Sequence, residues 1–351
     1  MENKKKIIIP TGYMGSGSSA ITDLFSEIDG VNASRGTFEY VFMHCPNGIF
    51  DLEDKLLTGN NAVRSDEALH SFAATMKQLY DKKYWWVGHY NVNVGPDFWK
   101  VTQEYINELI EFVPDFYWYY QENVTWKMVP RLIVKRIVRI LTGGKVNLSK
   151  VLSYSPMWLS FITADRFYEV TQQYIYRLMD MLGLGKESIV LDQLLLPFNL
   201  YRMENYFKDD AEVFVVERDP RDVFISNKYF WAKQDATVPY PTDVRKFCDY
   251  YGRIRRMEKP TDNPHVHRIR FEDLIYNYEE TVGRIFDSLG WDQKTHTRKK
   301  EMFVPERSIN NTQLFLQNDA YREESEVIAS ELSDYIYSFP YEIRHNAKEV
   351  F

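Results

Sequence analysis

The stretch Ile7-Ile-Ile-Pro-Thr-Gly12-Tyr13-Met-Gly15-Ser16-Gly17-Ser18-Ser19 constrains the chain more than any other. Its short apolar run predicts a fully buried strand, its glycine and serine cluster a tight turn, and the 3.6-residue spacing over Ala20 to Ile28 an amphipathic helix. Strand, glycine-rich loop and helix in direct succession point to an α/β fold. Glycine lets the backbone approach a ligand closely and aim successive N–H groups at it, and a helix start adds partial positive charge. The turn therefore suits a phosphate, with Gly12, Tyr13, Gly15, Ser16, Gly17, Ser18 and Ser19 as the binding set.

The spacing from Gly12 to Ser18-Ser19 is that of a nucleotide P-loop, with Ser18 where such a loop carries lysine. Elsewhere the chain alternates helix and buried strand. Ser188-Ile-Val-Leu191 leads to Asp192, Glu212 to Val216 leads to Glu217-Arg218, and His267 to Phe271 reads as a later strand. Near-continuous apolar strands separated by helices predict a central parallel sheet covered on both faces. Thr37 to His44, rich in β-branched and aromatic residues, is also expected to be a strand, after a turn-rich connection over Gly30 to Gly36. Asp51 to Leu57 and Ser65 to Tyr80 read as helices, the second capped by Ser65. One domain spanning 1–351 is expected, with a helical, aromatic-rich insertion over roughly 65–185 forming the acceptor side.

That insertion includes Tyr84-Trp85-Trp86 and Phe116 to Tyr120, and aromatics make up 16 % of the chain. Packing between long helices explains such residues, and so does a stacking wall for an acceptor. Within it, Pro130 to Leu141 reads as a basic amphipathic helix with Arg131, Lys135 and Arg139 at four-residue steps. It suits an anionic membrane surface, an anionic acceptor, or a solvated face over a core.

With 351 residues, 44 % hydrophobic, the chain can bury a substantial core, and its net charge of −7 argues against nucleic-acid binding. The two cysteines, Cys45 and Cys248, lack metal-ligand spacing and read as buried hydrophobes. No apolar run approaches the length of a membrane span, and a cytoplasmic protein is expected.

The second informative stretch is Val213-Phe-Val-Val-Glu217-Arg218-Asp219-Pro220-Arg221-Asp222-Val223, with Ser226 eight positions after Arg218. Asp219 is placed to cap a helix that Pro220 opens. Arg218 then sits at the carboxyl end of the sheet beside the first loop, where a guanidinium can grip phosphate oxygens. Taken together, the two stretches resemble the sulfotransferases that use 3′-phosphoadenosine 5′-phosphosulfate. The resemblance covers the first fifty residues and roughly Ser188 to Thr312, including Arg268 to Leu274, Ser288 to Trp291 and the late loop Phe303 to Thr312.

The resemblance implies that the first loop holds the 5′-phosphosulfate, that Arg218 and Ser226 hold the 3′-phosphate, and that no metal is needed. It implies a histidine or glutamate base near the end of the second strand, with Glu39 favoured, His44 next, and Asp192 and His89 behind. His265 and His267 read as structural. One departure stands out: the position before Ser16-Gly17, usually basic in this family, is Gly15. The charge must then come from Lys228, Arg35, or the loop's own backbone. The expected acceptor is a hydroxyl on a glycan or lipid-linked sugar, then a sterol or other hydrophobic alcohol. Two alternatives stay open: a P-loop kinase or NTPase using ATP and magnesium with Asp192 as the strand-end acid, and a non-catalytic nucleotide-binding relative.

Overall fold

A computed structural model describes residues 5–33, 38–81, 87–114, 126, 129–146, 156–207, 209–232 and 238–343. Its strands are β1 (Ile7–Gly12), β2 (Val31–Ala33), β3 (Ser188–Val190), β4 (Ala211–Glu217) and β5 (Val266–Arg270). They form one sheet in the order β2-β3-β1-β4-β5, with every pairing parallel. The chain leaves β1 toward β2 and β3 on one side and later fills β4 and β5 on the other. The end of β1 is therefore the switch point at which open α/β sheets bind ligands.

Side chains along β1 and β4 alternate between two cores. Ile7, Ile9, Val213 and Val215 enter one, and Ile8, Phe214 and Val216 enter the other. Both faces are covered, which is why these strands read as unbroken apolar runs.

The longer helices follow as α1 (Ser19–Ser26), α2 (Ile49–Leu57), α3 (Ala62–Tyr80), the single turn α4 (Tyr90–Asn93), α5 (Phe98–Leu109), α6 (Val129–Leu141) and α7 (Ala164–Met181). After β4 come α8 (Pro220–Ile225), α9 (Val244–Arg256), α10 (Tyr278–Leu289) and α11 (Asp319–Glu331). Helices α1 and α10 cover one face through Leu24, Phe25, Ile285 and Phe286. Helices α2, α3, α5 and α7 cover the other in a core continuous with β1 and β4. A third cluster joins α8, α9 and α11 through Phe224, Phe247 and Ile328.

The aromatic residues of α5 and α7 pack rather than line a wall. Tyr105 and Tyr174 stack at 4.3 Å between centroids. Their hydroxyls are satisfied inside the core, by Thr171 and Thr102, each at 2.9 Å. Two such bonds remove the cost of burying two phenols. Tyr84-Trp85-Trp86, Phe116 to Tyr120 and Arg35 lie outside the described residues.

Two expectations need correction. Residues 38–44 form no strand, and the second strand is Val31–Ala33, inside the stretch read as a turn-rich connection. Tyr40 N–H donates to Asp192 O, Val41 N–H to the Tyr90 hydroxyl, and Cys45 N–H back to Val41 O. The segment thus crosses the end of β3 and turns, and its β-forming side chains are buried by packing instead of pairing. The helix read from Ser65 starts at Ala62, capped by the Asn61 side chain on Arg64 N–H at 3.0 Å. Ser65 is fully buried one turn inside.

Both cysteines are buried and unpaired with each other. Among the described residues, no helix is long and apolar enough to cross a membrane.

Candidate functional site

The loop after β1 is shaped by three glycines. Gly12 lies opposite Val216 in the sheet, and a Cβ there would stand 2.2 Å from Ser16 Oγ and 2.6 Å from Val216 O. No side chain fits. Gly15 and Gly17 have φ of 79° and 85°, a region that favours glycine, and Ser16 N–H closes the turn on Tyr13 O at 2.8 Å. Among the described residues, the N–H groups of Gly15, Gly17 and Ser18 donate to no protein acceptor. Ser16 Oγ is buried and has no partner there either. Ser18 stands at the cap position of α1 and Ser19, exposed, is its first residue, so their backbone adds the positive end of a helix to the same turn.

Arg218 lies across this loop. Its Nη1 donates to Gly15 O at 3.1 Å, and its Nη2 to Asn311 O at 2.5 Å and to Ser226 Oγ at 3.5 Å. The guanidinium rests over the Phe271 ring at 5.3 Å, and the same ring is what a Cβ at Gly17 would strike, at 2.8 Å. Three distant segments of the chain therefore meet at one arginine that is 5 % exposed. Its Nε and Asn311 Oδ1 remain without partners among the described residues. Buried polar atoms left open cost stability unless something else satisfies them.

The Arg-Asp-Pro-Arg-Asp run builds this edge. Asp219 caps α8 by accepting from Arg221 N–H at 2.9 Å, with Pro220 at the first helical position. Asp222 accepts Gln313 N–H at 2.8 Å and Leu314 N–H at 2.7 Å, so it anchors the late loop that brings Asn311 to Arg218. Burial, then the nearby Asp219 charge, raises the Asp222 pKa well above the usual carboxylate range. Ser226 opens a π-helical segment, Ser226–Trp231, continuing α8. Such widened turns recur at functional sites.

Residues 157–295, which include β3 to β5 and the Arg218–Ser226 stretch, match the sulfotransferase family model. The match covers the part of the chain that builds the Arg218 side of the site. Among solved structures it is similar to the sulfotransferase domain of the Synechococcus PCC 7002 olefin synthase, at 12 % identity over 97 % of this chain and 98 % of that one, TM-score 0.41. It is also similar to the sulfotransferase domain of the curacin biosynthetic pathway, at 14 % identity over 97 % and 100 %, TM-score 0.40. A Mycobacterium avium sulfotransferase is similar at 13 % identity over 99 % and 79 %, TM-score 0.34. A search of curated proteins returns no match.

The absence of a side chain at Gly15 has a physical cause. A Cβ there would stand 2.8 Å from Trp231 Cη2, on a backbone of positive φ. The indole takes the space that a longer side chain would need. Lys228 is engaged elsewhere: it pairs with Glu324, and although burial pulls its pKa down, that partner outweighs burial and raises it. Tyr13 is buried with its hydroxyl donated to Glu258 and the Arg255 guanidinium 3.9 Å over its ring. It contributes backbone to the loop while its side chain braces α9.

The base candidates lie in different surroundings. His44 must donate its Nε2–H to Gln193 O, at 2.7 Å, because a carbonyl only accepts, and burial lowers its pKa. His89 is exposed, at φ 68° before α4. Glu39 is half-buried, and its charge reaches Asp192, which lies just past β3 with Oδ1 unpartnered among the described residues. Burial first, then Glu39, pushes the Asp192 carboxyl from 3.8 to about 7. A carboxyl raised into that range can exchange a proton near neutral pH, and Glu39 is the charged neighbour that helps to hold it there.

One residue went unnoticed in the sequence. Gln193, at φ 59°, accepts from Thr11 Oγ1 at 3.2 Å and donates Nε2 to Ser18 Oγ at 3.0 Å, while its carbonyl holds His44. It ties the end of β1, the loop and the Glu39 segment together. Left-handed φ in a residue other than glycine is uncommon and gathers at functional sites.

Proposed function

We propose that this protein is a sulfotransferase that moves a sulfuryl group from 3′-phosphoadenosine 5′-phosphosulfate to a hydroxyl acceptor. A glycan or lipid-linked sugar is the first acceptor class and a sterol or other hydrophobic alcohol the second. The observation that carries the reading is the span of Arg218, from the carbonyl of Gly15 to Ser226 and Asn311, at an edge where the loop N–H groups are open.

Gly12 through Ser19 would hold the 5′ end of the donor, and Arg218 with Ser226 its 3′-phosphate. When bound, the donor supplies an activated sulfuryl group attached to a phosphate leaving side. With Trp231 against Gly15, stabilising charge on that side falls to the backbone N–H groups of Gly15, Gly17 and Ser18 and to the start of α1. The open atoms Ser16 Oγ and Arg218 Nε fit a group rich in anionic oxygens. Glu39, beside Asp192, takes the acceptor proton, a role typically worth about a hundredfold to ten-thousandfold in rate.

The helical region 65–185 would present the acceptor, within a single domain. A cytoplasmic location belongs to the same reading, since two buried cysteines that form no disulfide with each other need no oxidising compartment.

Thermal unfolding separates this reading from an ATP-dependent enzyme. Adenosine 3′,5′-bisphosphate without metal should raise the midpoint, and ATP with magnesium should not match it. Protection by ATP with magnesium alone would overturn the assignment. Transfer of labelled sulfuryl groups to a panel of glycan and sterol alcohols then tests turnover, and nucleotide binding with no transfer to any of them would leave a binding protein.

A further inference from the structure

Helix α6 turns its apolar side outward. Thirteen residues of α-helix, about 20 Å long, contain no buried side chain. Ile133, Val134, Ile137, Ile140 and Leu141 fall on one arc of the helix, and all five are exposed, Ile140 at 71 % and Leu141 at 79 %. The partly covered residues Leu132, Lys135 and Val138 lie on the other side. A helix serving the core would be oriented the opposite way, so the expected solvated face over a core is not what forms.

Charge says what this face meets. Between Glu122 and Asp165 the sequence holds seven lysines and arginines and no aspartate or glutamate. The chain's net −7 less this segment's +7 leaves −14 for the rest, so the positive charge is concentrated in a segment that also exposes a run of aliphatic side chains. At about 100° per residue, Arg131 and Arg136 stand at the two borders of the apolar arc, and Lys135 and Arg139 lie on the side opposite it. Trp126, just before the helix, is 90 % exposed. An apolar arc bordered by two arginines and backed by further cations, with an aromatic residue at one end, matches the interface of an anionic bilayer, where aliphatics enter the acyl boundary and cations stay at the headgroups.

We propose that α6 docks this protein on an anionic lipid surface, lying in the interface plane. A second copy is the poorer occupant because two such segments would bring like charges together. Nucleic acid has no use for the aliphatic arc. The inference goes beyond the donor and acceptor reading and stands without it.

Co-sedimentation of the full chain with phosphatidylcholine vesicles, with and without phosphatidylserine, tests the proposal. Binding should be at least about tenfold stronger with phosphatidylserine and should weaken with salt. Ile137→Asp and Ile140→Asp should each lower it about tenfold or more, and Arg131→Glu with Arg136→Glu should abolish the lipid preference. Ile137 and Ile140 are exposed, so their variants should keep the wild-type unfolding midpoint. Equal binding to both vesicle types, no binding, or variants that bind like wild type would overturn it. So would self-association in sedimentation velocity that the isoleucine variants abolish without any vesicle binding.

Discussion

The two ends of the sheet treat buried charge in opposite ways. At the amino-terminal ends of β1, β4 and β5, Glu212 accepts Lys6 Nζ at 2.6 Å, His265 Nδ1 at 3.1 Å and His267 Nε2 at 2.8 Å. At the carboxyl ends, Ser16 Oγ, Asp192 Oδ1, Arg218 Nε and Asn311 Oδ1 have no partner among the described residues. Both edges are polar, but only one is satisfied. A satisfied cluster explains itself through stability, whereas open buried atoms beside open N–H groups call for a ligand.

The sharpest way to break this contrast is to swap the expected phenotypes. Glu39→Gln should lower turnover about a hundredfold or more while nucleotide affinity stays unchanged. Wild-type turnover in steady-state assays would move the base elsewhere.

Glu212→Gln should do the reverse, costing about 2–3 kcal/mol in denaturant unfolding with no change in nucleotide binding. Burial pushes the Glu212 pKa up, but His267, Lys6 and His265 outweigh it and hold it below the usual carboxylate value. Its stabilisation is therefore full above that usual value and declines as pH falls through the depressed one. A Glu212→Gln protein that unfolds like wild type at neutral pH would show the cluster to be idle.

Gly15→Lys places a basic side chain on a positive-φ backbone against Trp231, and should cost about 1–3 kcal/mol of stability. Combining it with Trp231→Ala should relieve the side-chain contact, leaving the backbone cost. A single Gly15→Lys variant as stable as wild type would show that the indole yields.

The smallest effect expected is at Asp192. Its folded pKa is raised, so the folded state binds its proton more tightly and loses stability as pH rises from 3.8 to about 7. Asp192→Asn should gain on the order of 1–2 kcal/mol over wild type above pH ~7 and nothing in strong acid. A pH-independent difference would mean the carboxyl is not penalised by burial.

What was legible in the chain was local. A buried strand running into glycines, and an aspartate followed by proline as a helix start, are written in neighbouring residues, and both form as the sequence indicates. What was missed depends on distant partners. Residues 38–44 have strand-forming side chains, yet their backbone bonds go to Asp192 and Tyr90. Gln193 acquires its part from a left-handed backbone and three remote contacts, and only its place at a strand end hinted at it. Trp231 against Gly15 joins residues over two hundred positions apart, which no spacing rule reaches. The basic helix was visible by periodicity, but the side it turns outward was not.

The central claim is that a doubly phosphorylated adenosine bridges the first loop and Arg218. Calorimetric titration of adenosine 3′,5′-bisphosphate into wild type and Arg218→Ala tests it most directly, with unfolding midpoints recorded for both. Arg218→Ala should bind about thirtyfold more weakly, a loss of about 2 kcal/mol. Equal affinity in a folded Arg218→Ala protein, or no binding by wild type at all, would contradict it.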